Sequence, residues 1–239
     1  MKRVIYTVIV NGYDRLIEPE AYPGWDFICF TDGKRIGLRA KLGLSKWQVR
    51  QLPSEDMDSF RHSRLPKILP HRYLADYDYS VYIDGNARLL CDPAVQLETM
   101  GWPALAIAQH PYRGTVFEEI EECIRQGKAP RDLLQAQRDA YRADGLPEDT
   151  TLLENNFLLR RHNHPQVIEL MQAWWEQMNT HSHRDQLSLP YVAWKQNYTI
   201  HTFSHDLKRT MFATKSHGRS FLKRMQRSLN KRLARLQGS

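Results

Sequence analysis

Asp84, Gly85 and Asn86 are the residues best placed to do chemistry. They follow Ser80-Val-Tyr-Ile83, a short run with the β-branched and aromatic composition of a strand. A buried strand that stops at two oxygen-bearing side chains around a glycine delivers them to a sheet's carboxyl edge, where open α/β sheets bind ligands. Asp84 and Asn86 both offer hard oxygens suited to Mg²⁺ or Mn²⁺, and Gly85 lets a phosphate approach the backbone. The same triplet also reads as a tight hairpin turn, for which Asp-Gly is a common signal.

Other strand ends carry further candidates. Val4–Val10 reads as a first core strand and closes on Asn11-Gly12-Tyr13-Asp14. A second strand from Asp26 closes on Asp32. Neither is a GxGxxG or a P-loop, so Asn11, Asp14 and Asp32 point to ribose or base contacts, or to ordinary turns. Arg61, Arg64 and Lys67 recur every third residue, three cations that suit a diphosphate or a solvated basic face. Pro66 and Pro70 predict that this segment is kinked and irregular. His110 and Arg113 end a strand over 104–108, and Glu154-Asn155-Asn156 opens another. Asp185 falls in the first turn of a helix running to Lys195, where it serves either substrate or the helix dipole.

The elements that hold these residues alternate as in an α/β fold. A short strand is expected at Lys46–Arg50, helices at Val116–Gln126, Asp132–Asp144 and Val167–Met178, and a last strand at Tyr198–Phe203. Over 239 residues there is no apolar run long enough to span a bilayer, and the start reads as a core strand, not a signal peptide. Three cysteines without a CxxC argue against disulfides and zinc, and for a reducing cytoplasm. Net charge is +7, and seven basic residues without an acidic one lie between Arg219 and the end. The division is therefore a neutral domain, 1–218, and a tail, 219–239, that forms a basic amphipathic helix suited to the inner face of an anionic membrane. A neutral body argues against a nucleic-acid groove across the fold and leaves RNA contact, a third reading, to the tail alone.

In order, the blocks YTVIVNGYD, CFTD, RHSRLPKILPH, SVYIDGN, QHPYR, ENNFLLRRHN and RDQLSLPY resemble a glycosyltransferase-like group catalogued as domain-of-unknown-function family 616. Its plant members are linked to cell-wall and mucilage polysaccharide. The resemblance implies a GT-A-like fold, a Rossmann-like mixed central sheet flanked by helices that binds a nucleotide-sugar, with UDP the first candidate. It also implies a divalent cation on a DxD motif, here with Asn86 in the third position. A looser similarity to family 8 retaining glycosyltransferases implies Asp185 and Gln186 near the anomeric carbon, and a late histidine, His217 or His205, on the metal. Asn155 and Asn156 would lie beside the donor sugar, with Glu154 a second choice for acid/base work. The implied activity is sugar transfer to a glycan or lipid-linked acceptor. A non-catalytic sugar-nucleotide or glycan-binding module is the rival reading, favoured by Asn86.

Overall fold

A computed structural model describes residues 1–34, 36–53 and 57–214. Its centre is a seven-stranded mixed sheet. The strands are β1 (Arg3–Ile9), β2 (Trp25–Thr31), β3 (Gln48–Gln51), β4 (Tyr79–Ile83), β6 (Leu105–Gln109), β7 (Leu153–Arg160) and β8 (His201–Phe203), in the order β3-β2-β1-β4-β7-β6-β8. β1 to β4 are mutually parallel, β7 runs antiparallel to both β4 and β6, and β8 is parallel to β6. The chain leaves β1 toward β2 and β3 on one side and returns to β4 on the other. Strand order therefore reverses between β1 and β4, and a crevice opens at their carboxyl ends.

Alternation along the strands builds a core on each face. Val4, Tyr6, Val8 and Val10 pack with Leu65, Ile68 and Trp174 on one side, while Ile5 and Ile9 pack with Trp25, Phe27 and Trp47 on the other. Each such fully buried side chain contributes about 1.5–3 kcal/mol. The first face is covered by α2 (Ser59–Ile68), α4 (Val116–Gln126), α5 (Arg131–Ala143), α6 (Pro165–Thr180) and α7 (Asp185–Lys195), with the short α1 (Leu38–Lys41), α3 (Pro93–Thr99) and α8 (His205–Met211) elsewhere. The expected α4 stripe buries Phe117 and Ile120, and a capping box of Thr115 with Glu118 starts the helix. Gly127, at φ 62, ends it in the left-handed conformation that favours glycine.

Three expectations change. The 61–71 segment is not irregular: α2 runs through Pro66 and only then tightens into a 3-10 turn, Pro70–Arg72. Its last carbonyls are satisfied from the core, since Tyr6 Oη donates to Pro66 and Lys67 oxygens (3.2 and 3.3 Å) and Arg160 Nη2 donates to Lys67 O (2.7 Å). Asp84-Gly85 does not turn a hairpin. The strand after it, β5 (Ala87–Leu89), pairs with β9 (Phe212–Thr214) rather than with β4. Nor is β8 the last strand, because α8 and β9 follow it.

His162 gives a pH dependence to this core. Its Nε2–H donates to the Leu74 carbonyl at 2.8 Å, and burial lowers its pKa from 6.5 to about 4. Between those values the unfolded chain takes up a proton that the folded chain refuses, so stability falls as pH falls from 6.5 to 4. The loss is about 3 kcal/mol at about 1.4 kcal/mol per unit. Urea unfolding across that range should show this slope, and His162→Asn should flatten it. An equal slope in the variant would remove His162 as its source.

Candidate functional site

The crevice between β1 and β4 gathers the sequence candidates from four directions. At the end of β4, Asp84 is half-buried, and its Oδ1 accepts from Tyr82 Oη at 2.8 Å. Gly85 is needed for close approach: a Cβ there would meet Ile9 Cγ1 at 2.9 Å and Asp14 Cβ at 3.0 Å. The glycine thus lets the loop after β1 close onto the end of β4, which brings Asp14 against Gly85, the residue next to Asp84. Gly85→Ala should push Asp14 away and weaken nucleotide affinity about tenfold, with a small loss of stability. Unchanged affinity would mean that Asp14 takes no part in binding.

Asp32 holds backbone at the strand ends, the turn alternative to a ribose or base contact. Its Oδ2 accepts from the Asn11 amide (2.9 Å) and its Oδ1 from the Lys34 amide (3.1 Å). Asn11 has φ 58 and Gly12 φ 59, two consecutive left-handed residues, and the Asp32 clasp holds that turn in place.

The three cations of α2 divide. Arg61 turns toward α6, with Nη1 on Asp58 (2.7 Å) and Nε on Asn179 Oδ1 (2.9 Å). Lys67 and Arg64 instead converge on Asp185 Oδ2, at 2.6 and 3.3 Å. Lys67 is 3% exposed and stands 5.1 Å from the Tyr82 ring centroid, so the array runs from Asp185 through Lys67 to Tyr82 and Asp84. Burial alone would raise the Asp185 pKa, but Lys67 and Arg64 reverse this and hold its carboxyl well below the usual range. It stays ionised.

β7 supplies the third side. Its pairing with β6 slips between Ile107 and Gln109, which face Leu158 and Leu153, so three extra β7 residues bulge at the crevice. Bulges re-aim side chains beside sites, and this one carries Glu154, Asn155 and Asn156. Asn155 Nδ2 donates to Asp185 O (3.1 Å), as does Trp174 Nε1 (2.9 Å), which fixes the start of α7. The Oδ1 atoms of Asn155 and Asn156 are buried without a hydrogen-bond partner among the described residues. Such acceptors are costly to leave unmet and call for a donor or cation.

Glu154 meets two residues that the sequence did not single out for it. Lys208 Nζ lies 2.6 Å from its Oε2, and His205 Nδ1 3.1 Å from the same atom, both from α8. Burial draws the Lys208 pKa down, partly opposed by Glu154 and Asp84. The only signal for Lys208 was its position five residues after Phe203, in a segment without a stripe. His205 serves Glu154, and among the described residues no group of three or more His, Cys, Asp or Glu is arranged to hold a metal. His217 and the tail lie outside the described residues. Gln186 bridges Arg184 Nη2 (3.2 Å) and Leu153 O (3.4 Å). At the end of β6, His110 Nδ1 accepts from the Arg113 amide (3.1 Å), and burial with Arg113 lowers its pKa, so a neutral ring shapes that loop.

The family profile described as "TOD1/MUCI70, glycosyltransferase-like domain" matches residues 31–222. Among curated proteins, the chain is 29% identical over 255 residues to "Probable hexosyltransferase MUCI70" of Arabidopsis thaliana, across 94% of this chain and 43% of that protein. It is 26% identical over 220 residues to "Alkaline ceramidase TOD1" of the same plant, across 79% of this chain and 47% of that one. The chain therefore spans less than half the length of either relative. Among solved structures, the "WbbM bifunctional glycosytransferase apo structure" superposes with a TM-score of 0.50 at 11% identity, over 83% of this chain and 38% of that one. That likeness concerns the fold, a GT-A-like mixed sheet flanked by helices.

Proposed function

The chain belongs to the TOD1/MUCI70 glycosyltransferase-like family, and from that membership we propose that it moves a sugar from a nucleotide-sugar donor to a glycan or lipid-linked acceptor. The observation that carries the proposal is the reversal of strand order between β1 and β4, with Asp84, Asp14 and the Asp185 array around the resulting crevice. The residues there fit a divalent ion. Mg²⁺ and Mn²⁺ sites use one or two carboxylates and leave the remaining positions to phosphate and water. Asp84 with Asn86 would hold the ion, and the unmet amide oxygens of Asn155 and Asn156 fit the same hard-oxygen chemistry. Bound there, it supplies positive charge to the leaving diphosphate.

The remaining work falls to the chain's own groups. Arg64, 24% exposed, is the cation of the Asp185 array that can reach a ligand, whereas Lys67 is sealed and sets Asp185 in place. A general base works best with a pKa near the working pH. Asp185 sits far below it, which suits a fixed negative charge facing positive character at the anomeric carbon. That role belongs to a retaining mechanism, with Gln186 beside it and Glu154 left for proton transfer.

Incubation with a panel of UDP-, GDP- and CMP-sugars should release the nucleotide from one donor, faster when a glycan acceptor is present. No turnover with any donor would overturn the proposal. The relative named an alkaline ceramidase supports a second reading, amide hydrolysis of a sphingolipid. Release of fatty acid from ceramide, without nucleotide-sugar turnover, would favour it. The tail, 219–239, is proposed to rest on an anionic membrane surface. Truncation at His217 should abolish sedimentation with anionic liposomes, and unchanged sedimentation would reject that role.

A further inference from the structure

A second charged cluster lies at the carboxyl end of β6, and its charges do not balance. Glu119 of α4 has a fully buried side chain. Three cations converge on it: Arg113 Nε pairs with Oε2, while Lys128 Nζ and Arg184 Nη2 lie 3.2 and 3.5 Å from Oε1. In direct ion pairs three cations face one carboxylate, and only part of the surplus is offset at longer range, by Asp185 for Arg184 and by Glu122 for Arg113. Further along α4, Glu121 pairs with Arg138 and Glu122 with Arg125, and Glu122 is also within electrostatic reach of Arg113.

Folding alone does not call for this arrangement. One well-placed partner satisfies a buried carboxylate, and each further cation repels those already there. The cations are also not used up. Each guanidinium has five N–H donors, yet among the described residues Arg184 makes one hydrogen bond, to Gln186, besides its ion pair, and its buried Nε has no acceptor there. The side chains of Arg113, Arg184 and Lys128 are 23%, 24% and 27% exposed, so they are partly desolvated but reachable. Half-desolvated guanidinium forks with spare donors bind oxyanions, often in bidentate fashion.

We propose that Arg113, Lys128 and Arg184, braced on Glu119, form a binding site for one oxyanion, a phosphate or carboxylate group of the substrate. The site adjoins the crevice. Arg184 immediately precedes Asp185, and His110 of the same loop is within electrostatic reach of both Glu119 and Glu154. Tyr112, 84% exposed on that loop, offers a flat face for a sugar ring next to the anion. Assigning the anion to a substrate rests on the transferase reading, and two sources share its chemistry: the donor's diphosphate and an acidic group on the acceptor.

The test titrates the full chain with pyrophosphate, with glucuronate and with neutral glucose at constant ionic strength. At least one of the two anions should bind saturably and glucose should not. Lys128→Gln leaves both arginines on Glu119 and should weaken the anion about tenfold, with Lys128→Arg restoring most of the affinity. Arg184→Gln should act in the same direction. An effect on pyrophosphate assigns the site to the donor, and an effect on glucuronate assigns it to the acceptor. The proposal falls if neither anion binds saturably, or if the Lys128→Gln and Arg184→Gln proteins, with wild-type unfolding midpoints, bind as tightly as wild type. Nucleotide-sugar turnover is measured separately. Anion binding without turnover would sink the transferase reading alone, and turnover with donor and acceptor KM unchanged in both variants would sink the anion site alone.

Discussion

Asp84→Asn is expected to lower sugar transfer about a hundred- to a thousandfold, the scale on which removal of a group that stabilises developing charge is felt. The unfolding midpoint should stay within about 2 °C of wild type, since a half-exposed strand-end side chain adds little to packing. Asp84 owes its place to β4, whose residues from Tyr79 to Ile83 are buried throughout, and to Gly85, which admits Asp14. Tyr82 donates to one oxygen, so the carboxylate's orientation is set from behind. The isosteric amide keeps the shape and removes the charge. Tyr82→Phe should therefore cost much less than Asp84→Asn, because it frees the carboxylate without discharging it. Equal losses in the two variants would mean that orientation, not charge, is what Asp84 contributes.

Asp185→Asn should be the most destabilising polar substitution in the site, at about 3–5 kcal/mol, the cost of leaving a buried charge unpaired. Lys67 and Arg64 would face each other without their shared anion. Adding Lys67→Met should recover at least half of that loss, since removing both members of a buried pair costs less than removing one. Activity should not return with stability. The pH profile gives a second check. Asp185 titrates below its unfolded value of 3.8, so its stabilisation is complete above that pH and is lost as pH falls further. Asp185→Asn should remove this part of the acid transition, which lies below the range where His162 acts. A loss under 1 kcal/mol would show that the array is solvated.

Much of this arrangement was legible in the sequence, for physical reasons that differ by element. β1, β2 and β4 announce themselves as apolar runs halted by Asn or Asp, and chain order alone carries Asp14 and Asp84 toward one edge. Arg64, Lys67 and Asp185 were each singled out, but not their ion pair, because residues as far apart as Lys67 and Asp185, 118 positions, meet only once α2 and α7 have both packed against α6. Pro66 looked like a helix breaker, yet Tyr6 and Arg160 cap the carbonyls near it from the core. Arg160 itself, fully buried, was not singled out, because a lone arginine at the end of an apolar strand carries no sign of its burial. Lys208 was silent because α8 is seven residues long and has no stripe to mark its buried side. The Glu119 cluster stayed hidden for a related reason: Arg113, Glu119 and Lys128 share the stretch 113–128 but no single helical face, and Arg184 joins them only through the fold.

The most direct test of the account is nucleotide binding to the crevice. Purified protein is titrated with UDP, GDP and CMP, each with and without Mn²⁺, following the unfolding midpoint. A ligand at 100 times its Kd stabilises by about 2.7 kcal/mol, or roughly 5–10 °C for a chain of this size. The account predicts such a shift for one nucleotide, larger with Mn²⁺ and absent in Asp84→Asn. No shift with any nucleotide at millimolar concentration, or a shift that Asp84→Asn leaves intact, would contradict it.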